Sequence, residues 1–458
     1  MIESELRISV LSRRAPIGPN PASEPAIEHV GGLTRVLPEL AEFAHIDWTT
    51  FTTQSQLGLP KHYSYSKISS QAFQNNINIF LTEVDSRDLN QSDWFCTHFI
   101  WPLLHDLSIP EFDPVELDLN FESIKSICQA IANKCVDVTN DGYLVNDFQL
   151  SQVPIALKDL EPQKPVSFFL HTPWPKTKPS RNLALKILKF LATGMTAADF
   201  IEFQTQKDLQ AFESFVREHL PTAEIDAKLR VNPVSVNVQN LQGQSRNFSR
   251  PLDLAESDIS YVHIARSDPI KNTLVAIKSF TALAHNFKHS QPRKFLDLFI
   301  VPSRQQWPEY QDLLADIIKG VASGNSQLSS LGYTPIRLHI GNDYSQASLA
   351  LTRYDYLIVC SVADGLNLVV KEGAILNNRN GVIVSTSEVG AMAELGNFCV
   401  VAVDAMESGV TKALVAAAKL DNETRKNMSM GLKNQIQEFD ASYWAQSVTT
   451  NFKILEKV

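Results

Sequence analysis

Short apolar runs alternate along this chain with stretches in which apolar residues recur every three or four positions. Runs rich in β-branched and aromatic residues, bounded by turn formers, predict strands over 6–11, 77–81, 143–145, 166–170, 199–203 and 229–236. The second half repeats the theme over 259–264, 295–301, 336–340, 356–360, 382–385 and 399–403. Amphipathic spacing predicts helices between them, clearest at 33–43, 121–132, 183–191 and 207–216, and a final one over 443–455 with no strand after it. Segments such as Val166 to Leu170 and Tyr356 to Cys360 are apolar at nearly every position, as strands covered on both faces must be. Such alternation specifies parallel sheets flanked by helices, an α/β fold of the doubly wound kind. A polar stretch rich in Asn, Gln and Ser over 237–250 reads as a linker between two such units.

Composition adds limits. A chain of 458 residues exceeds one ordinary core and suits two domains, and 44% hydrophobic with 20% charged residues excludes general disorder. The net charge of −9, with no Lys/Arg-rich stripe, excludes nucleic acid as a partner, so any anionic ligand must be held by local cations. Cys96, Cys128, Cys135, Cys360 and Cys399 are odd in number, contain no Cys-x-x-Cys pair and lie mostly among apolar residues. They are expected as reduced core residues, neither a disulfide set nor a metal site. The sequence begins on a strand pattern instead of a basic-then-apolar leader, and no apolar run is long enough to span a membrane. A cytoplasmic protein that needs no metal or other cofactor is expected; homo-oligomerisation stays open.

Ligand chemistry is expected where strands end, because open α/β sheets bind there. The strongest such joint is Asp364-Gly365-Leu366-Asn367-Leu368-Val369-Val370-Lys371-Glu372, between the 356–360 strand and a helical pattern through Ala374 and Leu376. Its turn offers backbone N–H groups and a helix N-terminus to an anion, while Glu372, inside the helix, is placed to accept sugar or ribose hydroxyls. The bland alternative is an ordinary strand–loop–helix joint. Other candidates in chain order are Ser12-Arg13-Arg14; the pair Gly31-Gly32 before Leu33; the aromatic stretch from Trp94 through Trp101 to His105; Asp147; His171; Arg266, Asp268 and Lys271; and Val301-Pro302-Ser303-Arg304. Taken singly, each has a structural reading: solvated arginines, core aromatics, a helix cap at Asp147, a satisfied core histidine. The sequence Ser385-Thr386-Ser387-Glu388 reads as a capping box opening a helix.

Together these stretches resemble the trehalose-6-phosphate synthase family of retaining glycosyltransferases. Asp364 to Glu372 is similar to the family's Asp-Gly-Met-Asn-Leu-Val-Ala-Lys-Glu, and Arg266, Asp268 and Lys271 match Arg-x-Asp-x-x-Lys-Gly, with Asn272 in place of the glycine. Phe168 to Pro175 resembles Phe-Phe-Leu-His-Ile-Pro-Phe-Pro, and Val145 to Leu150 resembles Val-His-Asp-Tyr-His-Leu, with both histidines changed, to Asn146 and Gln149. The resemblance implies a GT-B fold of two Rossmann-like domains facing a central cleft: an acceptor-binding domain over 1–240, a nucleotide-sugar-binding domain over 241–440, and a helix over 441–458 crossing back to the first.

It also implies roles. Gly31, Gly32, Arg266, Lys271, Asp364, Gly365, Leu366, Asn367, Leu368, Val369 and Glu372 would bind a nucleoside diphosphate sugar. Arg14, Trp101, Asp147 and Arg304 would bind a phosphorylated sugar, polyol or cyclitol, as would Ser92, which stands where the family has a phosphate-holding tyrosine. His171, Arg266, Lys271 and Asp147 would surround the reacting carbon. Donor-side positions match better than acceptor-side ones. The sibling activities of the family, glucosylglycerol-phosphate synthesis and the pseudo-glycosyltransfer that joins an activated cyclitol to an amino-cyclitol phosphate, fit equally well. A catalytically silent sugar-phosphate sensor is the alternative of another class.

Overall fold

The computed structural model describes residues 6–14, 32–52, 62–64, 77–111, 113–136, 139–178, 182–225, 228–245, 254–285 and 292–455. The chain forms two compact units, one of Met1–Val234 with Ala441–Val458, the other of Ser235–Asp440.

The first unit is built on an eight-stranded sheet in the order β3-β4-β2-β1-β5-β6-β7-β8. Its strands are β1 Arg7–Leu11, β2 His45–Thr52, β3 His62–Ser64, β4 Ile77–Glu83, β5 Gly142–Asn146, β6 Val166–Leu170, β7 Phe200–Phe203 and β8 Leu229–Val231. Only β3, at the edge, runs antiparallel to its neighbour. Strand order reverses around β1, which lies between β2 and β5, and this switch point puts a crevice at the carboxyl ends of the strands. Strands β2 and β3 are absent from the apolar pattern. In β2 the reason is visible: Asp47, Thr49 and Thr50 are buried in it. Asp47 accepts from Asn78 Nδ2 at 2.8 Å and lies 3.0 Å from Arg7 Nε, so the carboxylate is compensated.

The last helix, Ala441–Leu455, belongs to this unit. Trp444 meets Phe169 edge-on at 6.1 Å, and Asn451 Nδ2 donates to buried Glu202 Oε1 at 3.0 Å. Ser167 Oγ and Asn232 Nδ2 also donate to Glu202, whose carboxyl is raised by burial against these bonds. Gly142 is required beneath this helix, since a Cβ there would stand 2.5 Å from the Phe452 ring.

The second unit has a six-stranded, wholly parallel sheet in the order β11-β10-β9-β12-β13-β14. Here β9 is Ile259–Arg266, β10 Lys294–Val301, β11 Ile336–Ile340, β12 Tyr356–Val359, β13 Val382–Thr386 and β14 Val400–Ala402. Its switch point lies between β9 and β12. Leu296, Leu298 and Ile300 of β10 pack with Ile277, Phe280 and Ile317 into one core face.

Four local expectations are corrected. The stretch read as a linker contains a helix, Val238–Ser245. The strand read over 229–236 ends at Val231. Residues 385–388 finish β13 and turn; the next helix, Met392–Leu395, starts from Ala391 with no side-chain cap. The pattern over 33–43 is one α-helical turn, Leu33–Val36, followed by a 3-10 helix, Leu37–Glu42, with Pro38 at its start.

Candidate active site

In the second unit the loops after β9, β12 and β13 converge. After β9 the chain passes Arg266 and Asp268, makes the 3-10 turn Pro269–Lys271, reverses at Asn272 and enters the helix Thr273–Ala284. Asp268 is 2% exposed. Its Oδ1 accepts from the Ile270 N–H at 3.3 Å, which caps the turn, and its Oδ2 accepts from Arg304 Nη1 at 2.6 Å and lies 3.7 Å from Arg266 Nη2. One buried carboxylate thus holds two guanidinium groups, and that of Arg304 also lies 5.4 Å from the Tyr310 ring centre.

Lys271 Nζ pairs with Asp364 Oδ2, which also accepts from Asn367 Nδ2 at 2.9 Å and Ser361 Oγ at 3.1 Å. The paired side chains are 15% and 12% exposed, so the pair reaches solvent at the strand ends. Asp364 is itself fixed by the loop after β13, its N–H donating to Glu388 O at 3.0 Å and its carbonyl accepting from the Gly390 N–H at 2.9 Å. A Cβ at Gly390 would stand 1.8 Å from Gly365 O, so only glycine permits this approach. Asn367, at φ 74°, begins the helix Leu368–Leu376. Arg266 and Lys271 therefore gather beside two helix N-termini, the local positive charge an acidic chain needs for a diphosphate, and Arg304 is held by the same Asp268 that faces Arg266.

The two charged residues of that helix differ in setting. Lys371 is 1% exposed, bonds Glu394 Oε2 at 3.1 Å, and has its ammonium lowered by burial, with Glu394 opposing. Its part is to tie the helix to Met392–Leu395. Glu372 is half-buried. Asn272 adds a strut at φ 57°: its Nδ2 donates to Cys360 O at 3.1 Å and to Ala405 O at 2.8 Å, joining the loops after β12 and β14 to Lys271's turn.

In the first unit, Asp147 follows β5 at φ 72° and caps the 3-10 turn Phe148–Leu150. Its Oδ1 accepts from the Phe148 N–H at 3.1 Å and Thr172 Oγ1 at 3.4 Å. Burial pushes this carboxyl up from 3.8 to about 6, against the N–H groups of Phe148, Thr172 and His171. His171 follows β6, its ring stacked on Phe169 at 4.3 Å. Nε2 lies 3.0 Å from Asn146 Oδ1 and Nδ1 lies 3.1 Å from Gln204 Nε2, while burial lowers the imidazole to about 3. Trp101 packs against His105 at 4.1 Å and Phe148 at 6.2 Å, beside the Asp147 turn.

Of the paired arginines, Arg13 grips Asp93 with two bonds, at 3.2 and 2.7 Å, over the Phe51 ring. Arg14 is exposed, and its carbonyl accepts from Ser12 Oγ, which in turn accepts from Trp48 Nε1, each at 2.7 Å. Ser92 is buried, its hydroxyl 4.0 Å from Cys96 Sγ. Gly32 precedes the helix Leu33–Val36; Gly31 lies outside the described residues.

The structure thus gathers Arg266, Lys271, Asp364 and Arg304 in the second unit, and Asp147, His171 and Trp101 in the first. The sequence reading missed Gln204, Asn146 as a ring partner, Asp93 and the Asn272 strut. Asn146 and Gln204 carried a usable signal, a polar residue at the very end of an apolar strand. Asp93 carried none, because its partner lies 80 positions away.

Comparison with known proteins follows the same lines. The family model described as glycosyltransferase family 20 matches residues 19–454. Validamine 7-phosphate valienyltransferase of Streptomyces hygroscopicus subsp. jinggangensis is 28% identical over 288 residues, 60% of this chain. The match spans only 57% of that relative's length. The UDP-forming alpha,alpha-trehalose-phosphate synthase of Pichia angusta is 25% identical over 384 residues, covering 77% of this chain and 78% of the relative. Among solved structures, the alpha,alpha-trehalose-phosphate synthase (UDP-forming) of Burkholderia xenovorans in complex with glucose-6-phosphate superposes with a TM-score of 0.80, at 18% identity, over 98% of this chain and 100% of that one. The E. coli trehalose-6-phosphate protein bound with UDP-2-fluoro glucose gives 0.81 at 19% identity, over 98% and 99%. That likeness establishes the fold as GT-B, two Rossmann-like parallel-sheet domains.

Proposed function

The chain belongs to glycosyltransferase family 20, and from that premise we propose that it moves a hexose, glucose in the first instance, from a nucleoside diphosphate to a phosphorylated sugar, polyol or cyclitol, with retention of configuration. The observation that carries this reading is the cation group of the second unit, where Asp268 and Asp364 hold Arg266, Arg304 and Lys271 at strand ends. In the proposed reaction the acceptor oxygen attacks the anomeric carbon from the face that the diphosphate leaves, and the departing diphosphate takes the acceptor's proton. Lys271, Arg266 and the adjoining helix N-termini would stabilise the charge growing on that leaving group, with no metal required. Glu372 would accept hydroxyls of the donor's ribose, and Asp147 hydroxyls of the acceptor.

A second reading has its own support. The similarity to a valienyltransferase, together with Asn146 and Gln149 where the trehalose-phosphate pattern has histidines, favours a cyclitol donor and an amino-cyclitol phosphate acceptor. One experiment separates these from each other and from a silent sensor. The purified chain is incubated with glucose donors on uridine, guanosine and adenosine diphosphate, and with an activated cyclitol. Each is paired with sugar, polyol and amino-cyclitol phosphates, and products are identified by mass spectrometry. Acceptor-dependent release of nucleoside diphosphate is expected, and its absence with every pair would overturn the enzyme reading.

A further inference from the structure

A chain of polar groups joins the carboxyl ends of β1, β5, β6 and β7, and backbone groups close it at both ends. At one end the Leu11 carbonyl can only accept, so the nitrogen of the Asn146 carboxamide donates to it at 3.1 Å, with Leu144 O at 3.3 Å as a second acceptor. The amide oxygen of Asn146 then faces His171 Nε2 at 3.0 Å, and an amide oxygen only accepts, so Nε2 carries the hydrogen. At the other end the Val234 N–H donates to Gln204 Oε1 at 2.9 Å. Gln204 Nε2 is therefore the donor toward His171 Nδ1 at 3.1 Å, and Nδ1 is the bare nitrogen. A charged ring would set two donors against each other at Nδ1, so the bonds exclude the imidazolium independently of burial.

We propose that His171 is a positioning residue: a neutral imidazole, hydrogen on Nε2, that anchors the turn holding the Asp147 carboxylate, with neither ring nitrogen bonded to substrate. That turn supplies Asp147 with the Thr172 hydroxyl at 3.4 Å and with the N–H groups of His171 and Thr172. The ring that fixes the turn is pinned at both nitrogens and stacked on Phe169. Asn146 sets the polarity of the arrangement. A histidine there, as in the trehalose-phosphate pattern, could offer either a hydrogen or a lone pair, whereas a carboxamide fixed by Leu11 offers only a lone pair. This part differs from the direct sugar contact implied by resemblance, and its kinetic arm rests on the reading of Asp147 as an acceptor-side group.

Two measurements test it. In the full chain with 13C,15N-labelled histidine, NMR should show the His171 ring as the neutral Nε2–H tautomer from pH 8 to pH 5, its signal assigned by loss in His171→Gln. Titration within that range, or hydrogen on Nδ1, overturns the proposal whether or not transfer has been detected. In kinetics, His171→Ala should lower kcat/KM for the acceptor by about tenfold to a hundredfold, because two buried partners lose their bonds. Glutamine presents an oxygen to Gln204 and an N–H to Asn146, so His171→Gln should recover most of that loss, with donor KM close to wild type in both variants. A folded His171→Gln as impaired as His171→Ala would show that the imidazole itself touches substrate. If His171→Gln does not fold, Gln204→Glu supplies the assignment by its shift at Nδ1 and the wild-type tautomer decides.

Discussion

Replacing Lys271 by alanine should damage stability and turnover through separable causes. Its ammonium is the charged partner of Asp364, whose other donors, Ser361 and Asn367, are neutral. Breaking an exposed ion pair costs about 0.2–1 kcal/mol, and breaking a buried one about 3–5 kcal/mol. At 15% and 12% exposure, with two neutral donors left, the expected cost is about 2–3 kcal/mol, a fall in Tm of roughly 4–12 °C for a unit of this size. Adding Asp364→Asn removes the stranded carboxylate and should return most of that stability. Turnover should not return with it. A preorganised charge at a departing diphosphate contributes on the order of 10²–10³ in rate, and the double variant still lacks it, while donor affinity, which reflects the ground state, falls much less. The assay pairs calorimetric melting of the two single variants and the double variant with kcat under saturating donor. Recovery of turnover together with stability would reduce Lys271 to a structural partner of Asp364, and an unchanged Tm in Lys271→Ala would refute the ion-pair estimate.

Three further outcomes are expected. Burial raises the Asp147 carboxyl from 3.8 to about 6, so its favourable contribution to folding is full below about pH 4 and is lost as pH rises through about 6; conversely, the ionised form that acceptor hydroxyls prefer accumulates above 6. The kcat/KM for acceptor should therefore show an acid limb near pH 6 that Asp147→Asn abolishes, and a wild-type profile flat to pH 5 would remove Asp147 from acceptor binding. Glu372→Gln should weaken donor binding about tenfold or more by loss of charge-assisted bonds, roughly 1.5–3 kcal/mol, and leave acceptor binding unchanged, as calorimetry would show. Arg304→Ala should raise the KM of a phosphorylated acceptor by about one to two powers of ten without weakening donor binding; equal use of the unphosphorylated acceptor by the wild type would show that no phosphate is read.

What the sequence determined by itself was the alternation of strand and helix and the place of the strand-end joints. Strands buried on both faces, such as Val166–Leu170 and Tyr356–Val359, are apolar enough to be bounded from composition to within a residue. The joint at Asp364 was legible because its Asp-Gly turn and the helical spacing after it are both local. Strand β2 was not, since Asp47, Thr49 and Thr50 break its pattern and are tolerated only where Arg7 and Asn78, distant in sequence, compensate the buried carboxylate. The helix at Val238–Ser245 was masked by its Asn and Gln content.

Within the site, residue type announced the charges but not their partners. The Arg13–Asp93 bond, the Arg304–Asp268 bond and the carboxamides that orient the His171 ring join residues 25 to 80 positions apart. No local pattern encodes such distances. Which nitrogen of His171 carries the hydrogen follows from where the Leu11 carbonyl and the Val234 N–H end up once the strands are side by side, because only in the assembled sheet do those fixed groups meet the carboxamides they orient.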